Sequence, residues 1–321
     1  MRKLLKYSYP LFDLLLVPIV VIASLVMRVT RKLGFARLPR TLRAFRAVGV
    51  FPILDYYYEP LFNPKHLRKP LSEDRELAGI DWNITEQLSL LKNLQFGDEL
   101  EKFPVDRQAE NDYFYANGLF ESGDAEFLYS MIRLYKPQRI FEIGSGYSTL
   151  LATRALEANR GEDPDYQCEH VCVEPYEAAW LEKLNVTVMR TPVELIDKTF
   201  FGQLDKDDIL FIDSSHMIRP QGDVLFEYLE ILPVLKSGVF IHIHDIFSPK
   251  DYLAEWIESQ VLFWNEQYLL EAFLSYNSEF KIIGALNFLK HHYPNELTEA
   301  CPVLGRQLDS REPGSFWLRR V

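Results

Sequence analysis

Cysteine is nearly missing from this chain of 321 residues: Cys168, Cys172 and Cys301 are all it has. The first two are four apart, with no second pair at zinc-finger spacing. Neither a zinc finger nor a disulfide framework is encoded, and free thiols in a reducing compartment are expected. Internal repeats and low-complexity tracts are absent as well, which excludes a solenoid. Positive charge is scarce after the first 46 residues. That stretch carries ten Lys/Arg against the single Asp13, a balance of +9; the other 275 residues carry 25 Lys/Arg against 45 Asp/Glu, a balance of −20. An acidic body lacks the basic face that nucleic acid needs, so no nucleic-acid partner is expected. Apolar residues, in contrast, make up 48% and aromatics 14%, ample for the core of one large α/β domain with additions.

Residues 1–46 form the first region. LFDLLLVPIVVIASLVM, from Leu11 to Met27, is broken only by Asp13 and Pro18, and Arg28, Arg31, Lys32, Arg37, Arg40, Arg43 and Arg46 follow. No small-x-small site precedes a polar start, which argues against a cleaved signal peptide. A single span would leave the body in the cytoplasm, because more basic residues follow the segment than precede it. A helix kinked at Pro18 and lying in one leaflet, its basic tail on anionic headgroups, is a second reading. A core helix or a homo-oligomer contact is the third. Membrane association on the cytoplasmic face is the expectation. Residues 47–115, punctuated by Pro52, Pro60, Pro64 and Pro70, read as linker and cap, with one amphipathic helix over 84–96.

From 116 to 321 strand and helix signals alternate. Apolar runs predict strands at 139–143, 170–174, 186–190, 208–213 and 238–245. Helices are predicted at 123–135, 148–158, 176–184, 221–235 and 250–262, and two further strands in FKIIGALNFL and SFWLRRV. Short apolar strands separated by helices are the pattern of a doubly wound, mostly parallel, seven-stranded Rossmann-like sheet. The first strand runs straight into a glycine turn and a helix, EIGSGYST, which brings backbone N–H groups and a helix N-terminus up to a ligand. The dehydrogenase fingerprint wants a third small residue after Gly144 and Gly146, and Tyr147, Ser148 and Thr149 stand there instead. Glu174 ends the second strand, where a carboxylate can hold a ribose hydroxyl.

Asp213 and Asp245 end neighbouring strands, which lie about 5 Å apart in a sheet. Two carboxylates that close repel each other unless a cation or proton lies between them, and hard oxygen ligands suit magnesium. His216, three residues after Asp213, can accept a proton near neutral pH; a structural turn histidine is the alternative. For Asp213 the alternative is a cap on the following turn, and for His242 a core histidine. Tyr113, Phe114, Tyr115 and Asn117 read as a lid over a cofactor or as packing. Trp256, Trp264, Tyr268 and Phe273 read as an acceptor wall or as core.

EIGSGYST, VEPY, FIDSSH and HIHDIF, in this order, resemble the class I S-adenosylmethionine-dependent O-methyltransferases. The likeness is greatest to the bacterial metal-dependent sugar O-methyltransferases of the macrocin and mycinamicin type, and it covers about residues 110–321. The resemblance implies that Glu142, Gly144 and Gly146 line the methionine part of S-adenosylmethionine. Glu174 would bind its ribose, and Thr191, Pro192 and Val193 its adenine, with Asp213 also beside the cofactor. It further implies Asp213 and Asp245 as ligands of a divalent cation (Mg or Mn) and His216 as general base. Where that family has a second acid, this chain has His244, an imidazole that favours manganese, iron or zinc over magnesium. The expected activity is methyl transfer to a hydroxyl of a small molecule or glycan, such as a lipid-linked sugar. An NAD(P)-dependent oxidoreductase on a similar sheet and an inactive membrane-tethered binding protein are the competing readings.

Overall fold

The computed structural model describes residues 2–176 and 178–321, with side chains from Tyr9 onward. The chain divides into two compact units, Met1–Arg68 and Lys69–Val321. The first unit contains α1 (Arg2–Leu33) and α2 (Pro39–Val48). Pro10 and Pro18 both lie inside α1, which continues through them as one helix rather than ending or dividing at Pro18. Its stretch Tyr9–Leu33 is long and apolar enough to cross a membrane, and none of it is buried.

The second unit begins with α3 (Ile84–Asn93), α4 (Gly97–Leu100) and α5 (Asp124–Tyr135). Then come β1 (Arg139–Ile143), α6 (Tyr147–Glu162), β2 (Glu169–Val173), β3 (Thr187–Met189) and β4 (Ile209–Ile212). α7 (Asp223–Phe226), β5 (Phe240–Ile243), α8 (Glu266–Leu274) and β6 (Phe280–Ala285) follow. The chain closes with α9 (Leu286–His292), α10 (Pro294–Ala300), α11 (Pro302–Gly305) and β7 (Phe316–Arg320). The seven strands form one sheet in the order β3-β2-β1-β4-β5-β7-β6. β1 to β5 are parallel, and β7 runs antiparallel between β5 and β6. The doubly wound seven-stranded sheet read from the sequence is therefore the observed fold. Its strand order reverses between β1 and β4, so the crevice at their carboxyl ends is where ligands enter such sheets.

Residues 69–115 belong to the catalytic unit, although the sequence reading grouped them with 47–68 as linker and cap. Gln87 of α3 is fully buried and accepts the Ala285 N–H at 2.8 Å. Arg75 donates to the carbonyls of Pro249 and Lys250 and to Glu271. Tyr113 and Tyr115 are buried, their hydroxyls spent on the carbonyls of Phe120 and Leu100, so they pack the core rather than cover a ligand.

Three predicted elements differ. In 176–184 only Leu181–Lys183 forms a short helical turn, because Arg190 holds the loop open through the carbonyls of Glu174 and Ala178; Glu177 lies outside the described residues. In 250–262 one wide turn forms at Glu255–Ser259, where Trp256 packs edge-on against Phe247 and Trp264. In FKIIGALNFL the strand stops at Ala285 and α9 takes over.

Candidate active site

Gly144 opens the turn after β1 with a positive φ of 79°, and a Cβ there would lie 1.9 Å from the backbone oxygen of Asp213. Only glycine lets the ends of β1 and β4 approach this closely. Gly146 differs: nothing in the protein lies within 4 Å of where its Cβ would be. A cavity of about 350 Å³ opens here, lined by Gly144, Glu174, Pro192, Val193, Asp213 and Arg219 among others. Glu174 is buried at its edge, and its carboxylate accepts the N–H of Tyr176 at 3.0 Å.

Besides Gly146, two residues expected at the cofactor do not line this cavity. Thr191 stands just ahead of Pro192, which does. Glu142 is fully buried, accepting from Thr149 at 2.7 Å and facing His170 at 3.0 Å and Cys172 at 3.4 Å. Thr149 in turn accepts the Gly146 N–H, so Glu142 reaches the glycine turn through that hydroxyl.

Asp213, His216, His244 and Asp245 come together at the ends of β4 and β5. His216 Nε2 lies 3.3 Å from Asp213 Oδ1 and 3.4 Å from Asp245 Oδ2. One ligand atom from each of these three residues lies within 4.8 Å of the others. His244 Nδ1 is 3.6 Å from Asp213 Oδ1 and 3.5 Å from Asp245 Oδ1, while its Nε2 faces Asp124 at 3.6 Å. His216 and Asp245 both have positive φ, 57° and 59°, a conformation that non-glycine residues adopt chiefly where the surroundings impose it.

Glu266 was not among the residues expected at the site. It stands 50 residues after His216 and is buried at the start of α8, with Oε2 2.8 Å from His216 Nδ1. The N–H groups of Asn265 and Glu266 both donate to the His216 carbonyl, so backbone and side chain fix the imidazole together. The Tyr228 hydroxyl supplies a further bond to Glu266 at 3.1 Å. Glu266, one of two glutamates in WNEQYLLEAF, carries no local mark of this role; only the fold brings it under the histidine.

Burial opposes charge on every member of the cluster, and their mutual fields decide the outcome. Asp213 is only half-buried, and His244 and His216 hold its carboxyl well below the usual range. Burial would lower His216, but Asp213, Glu266 and Asp245 raise it well above an ordinary histidine. Burial likewise works against His244, while Asp245, Asp213 and Asp124 raise it. For Asp245 burial prevails and its carboxyl is raised. Protons on the two imidazoles thus balance the carboxylates. His242 is set apart: fully buried, it stacks on Phe211 and hydrogen-bonds Ser315 at 2.8 Å, a core histidine held neutral by burial.

A second cavity, about 390 Å³, opens on the far side of this cluster. His244 and Asp245 line it with Asp124, Glu255, Trp256 and Arg311. Asp213 therefore faces one cavity and Asp245 the other. His216 lines neither. Trp256 is in the wall, as read from the sequence, whereas Phe273 packs on Tyr228 and Phe280.

Residues 141–246, from β1 to just past β5, match the family model of a methyltransferase domain. An uncharacterized protein of Archaeoglobus fulgidus is 32% identical over 193 residues, 55% of this chain and 82% of its own length. The chain carries a methyltransferase domain. Among solved structures, this methyltransferase is similar to an O-methyltransferase from Bacillus cereus in complex with S-adenosylhomocysteine (13% identity, TM-score 0.36, 75% of this chain and 98% of that one). It is also similar to the TDP-rhamnose 3′-O-methyltransferase of calicheamicin biosynthesis (15%, 0.33, 76% and 99%). The MycE methyltransferase of the mycinamycin pathway, in complex with Mg and S-adenosylhomocysteine, overlaps less (16%, 0.29, 44% and 37%). What each of those enzymes methylates is a property of that enzyme. The oxidoreductase reading ends with the methyltransferase match.

Proposed function

We propose that this methyltransferase moves the methyl group of S-adenosylmethionine to a hydroxyl of a neutral or cationic glycan, on the cytoplasmic face of a membrane and with a divalent cation. One observation carries the reading: the Asp213–His244–Asp245 cluster stands between a cavity over the glycine turn and a second cavity of sugar size. A methyl on sulfonium in the first cavity would face a hydroxyl in the second. Alignment and deprotonation are then most of what the protein must supply.

The acceptor cavity favours such a glycan. Carboxylates dominate its lining, and Arg311, its guanidinium, is already paired with Glu121, so a phosphate or carboxylate acceptor would be repelled. The Trp256 indole offers a flat apolar face of the kind a sugar ring can lie on. α1, apolar and unburied over Tyr9–Leu33, supports an acceptor drawn from the membrane.

The donor set Asp213, His216 and Asp245 fits a divalent cation. With Nδ1–H given to Glu266, His216 turns Nε2 toward two carboxylate oxygens, and a divalent cation could take the place of the proton they hold there. Two oxygens and one imidazole suit manganese at least as well as magnesium. When bound, such an ion makes a neighbouring hydroxyl easier to deprotonate. The two imidazoles then exchange the roles read from the sequence. His216, which lines neither cavity, is the ligand. His244, in the acceptor wall and beside Asp124, is the group placed to take the hydroxyl proton once a cation, in place of the imidazole protons, neutralises Asp213 and Asp245.

The test is to incubate purified full-length protein with methyl-labelled S-adenosylmethionine, Mn²⁺ or Mg²⁺ and a membrane extract. Label is expected in the glycolipid fraction, and a chelator should abolish it. His244→Gln should lose turnover by about 10²-fold or more while still binding Mn²⁺, and His216→Gln should lose Mn²⁺. Label transferred as fast by both variants as by wild type would overturn these two roles, and no label with the wild type would leave a binding protein.

A further inference from the structure

A third cavity has no part in methyl transfer. It lies wholly in the first unit, measures about 1020 Å³ and is enclosed by the last turns of α1 and by residues 52–65. Ser24, Met27, Arg28 and Arg31 line it at intervals of three, one and three residues, so one face of α1 forms the wall. Four cations and two carboxylates face the space: Arg28, Arg31, Lys32 and Lys65 against Asp55 and Glu59. Arg31 is paired with Glu59, and Lys65 lies 2.6 Å from Asp55. Among the described residues no carboxylate forms an ion pair with Arg28 or Lys32. Arg31 Nε is buried with no hydrogen-bond partner. The cavity thus holds two uncommitted positive charges and one unspent N–H.

Its height along α1 points to the ligand. Arg28 directly follows the apolar run that ends at Met27, so the cavity opens where a crossing helix leaves the hydrocarbon. The surroundings match an interface. Tyr56, Tyr57 and Tyr58 are 59%, 89% and 80% exposed and pack edge to face, while Val48 and Phe51 are exposed as well. Exposed aromatic rings beside a cationic pocket are what the headgroup layer selects.

We propose that this cavity seats a lipid-borne phosphate, a phosphomonoester or diphosphate headgroup held by Arg28, Arg31 and Lys32. The proposal rests on the membrane reading above, and its test separates the two. Full-length protein in detergent micelles is given equal dioleoyl phosphatidic acid and phosphatidylcholine, and the lipid it retains is read by native mass spectrometry. Wild type should favour phosphatidic acid by about tenfold or more. Arg28→Ala/Lys32→Ala should lose the preference, and Arg43→Ala/Arg46→Ala, the same change of charge outside the cavity, should keep it. Equal loss in both double variants would mean diffuse attraction and overturn the site. Displacement of phosphatidic acid by an equal concentration of inorganic pyrophosphate would assign the cavity to a soluble phosphate compound and overturn the lipid source. Alkaline extraction of membranes containing the wild-type chain reads the membrane reading alone. A chain that stays in the pellet yet holds both lipids alike overturns only the headgroup site.

Discussion

Two glycines two residues apart carry opposite kinds of constraint. Gly144 is required by the protein itself: its α-hydrogen already faces the Asp213 carbonyl, and the Asp213 N–H donates to Ile143 at 2.8 Å across the same junction. Gly144→Ala would have to part β1 from β4, at a cost on the order of 3–5 kcal/mol. Nothing in the protein itself requires Gly146. Gly146→Ala meets no atom of the protein, so its unfolding midpoint in urea should stay within about 1 kcal/mol of wild type. Its affinity for S-adenosylhomocysteine, measured by calorimetry, should nevertheless fall about tenfold or more, since the new methyl occupies ligand space. Equal stability loss in both variants would remove the distinction, and unchanged affinity in the second would move the cofactor away from this turn.

At the scale of elements, α5 and α11 are joined by one buried carboxylate. Glu126 accepts the N–H of Gly123 at 3.0 Å, of Val303 at 2.7 Å and of Leu304 at 2.9 Å. Burial pushes its carboxyl from 4.5 up to about 7, against the pull of those three donors. The folded state therefore holds this proton more tightly than the unfolded chain, and its contribution to stability is present in full below pH 4.5. It falls as pH rises from 4.5 to about 7 and is flat above, by at most about 3 kcal/mol. Glu126→Gln should remove that slope: the difference in urea midpoint between variant and wild type should change between pH 5 and pH 8. A constant difference would show that the three donors keep Glu126 ionised throughout. The strands around this region were legible in the sequence because β1, β2, β4 and β5 are short apolar runs, and a sheet covered on both faces needs nothing else. α9 was not. KIIGALNFL has no period to separate strand from helix, and the switch at Ala285 follows from tertiary contacts. The aspartates and histidines were legible because they follow those strands directly. Glu266 was not, since its place under His216 is set by hydrogen bonds between segments 50 residues apart.

For the whole molecule, the two units divide the chemistry by charge and polarity. The acidic catalytic unit has its own sheet, core and cavities. The first unit exposes a longer run of apolar surface than a monomeric soluble protein commonly carries. Over Tyr9–Leu33, 25 residues, α1 extends about 37 Å, more than the roughly 30 Å of a bilayer's hydrocarbon core. Leu11, Leu14, Leu15, Ile19 and Ile22 are each at least 62% exposed, with no packing inside the molecule that a substitution would disturb. Leu15→Arg, Ile19→Arg and Ile22→Arg together should thus leave the catalytic unit folded and able to bind S-adenosylhomocysteine. Each charge at the centre of a crossing helix costs about 3 kcal/mol, so the triple change should cost on the order of 10 kcal/mol of insertion. After alkaline carbonate extraction the wild-type chain is expected in the membrane pellet and the triple variant in the supernatant. If wild type is released as readily, α1 is covered by another surface, a second copy of the chain being the first candidate, and size-exclusion chromatography with light scattering would then show a dimer that the triple variant lacks.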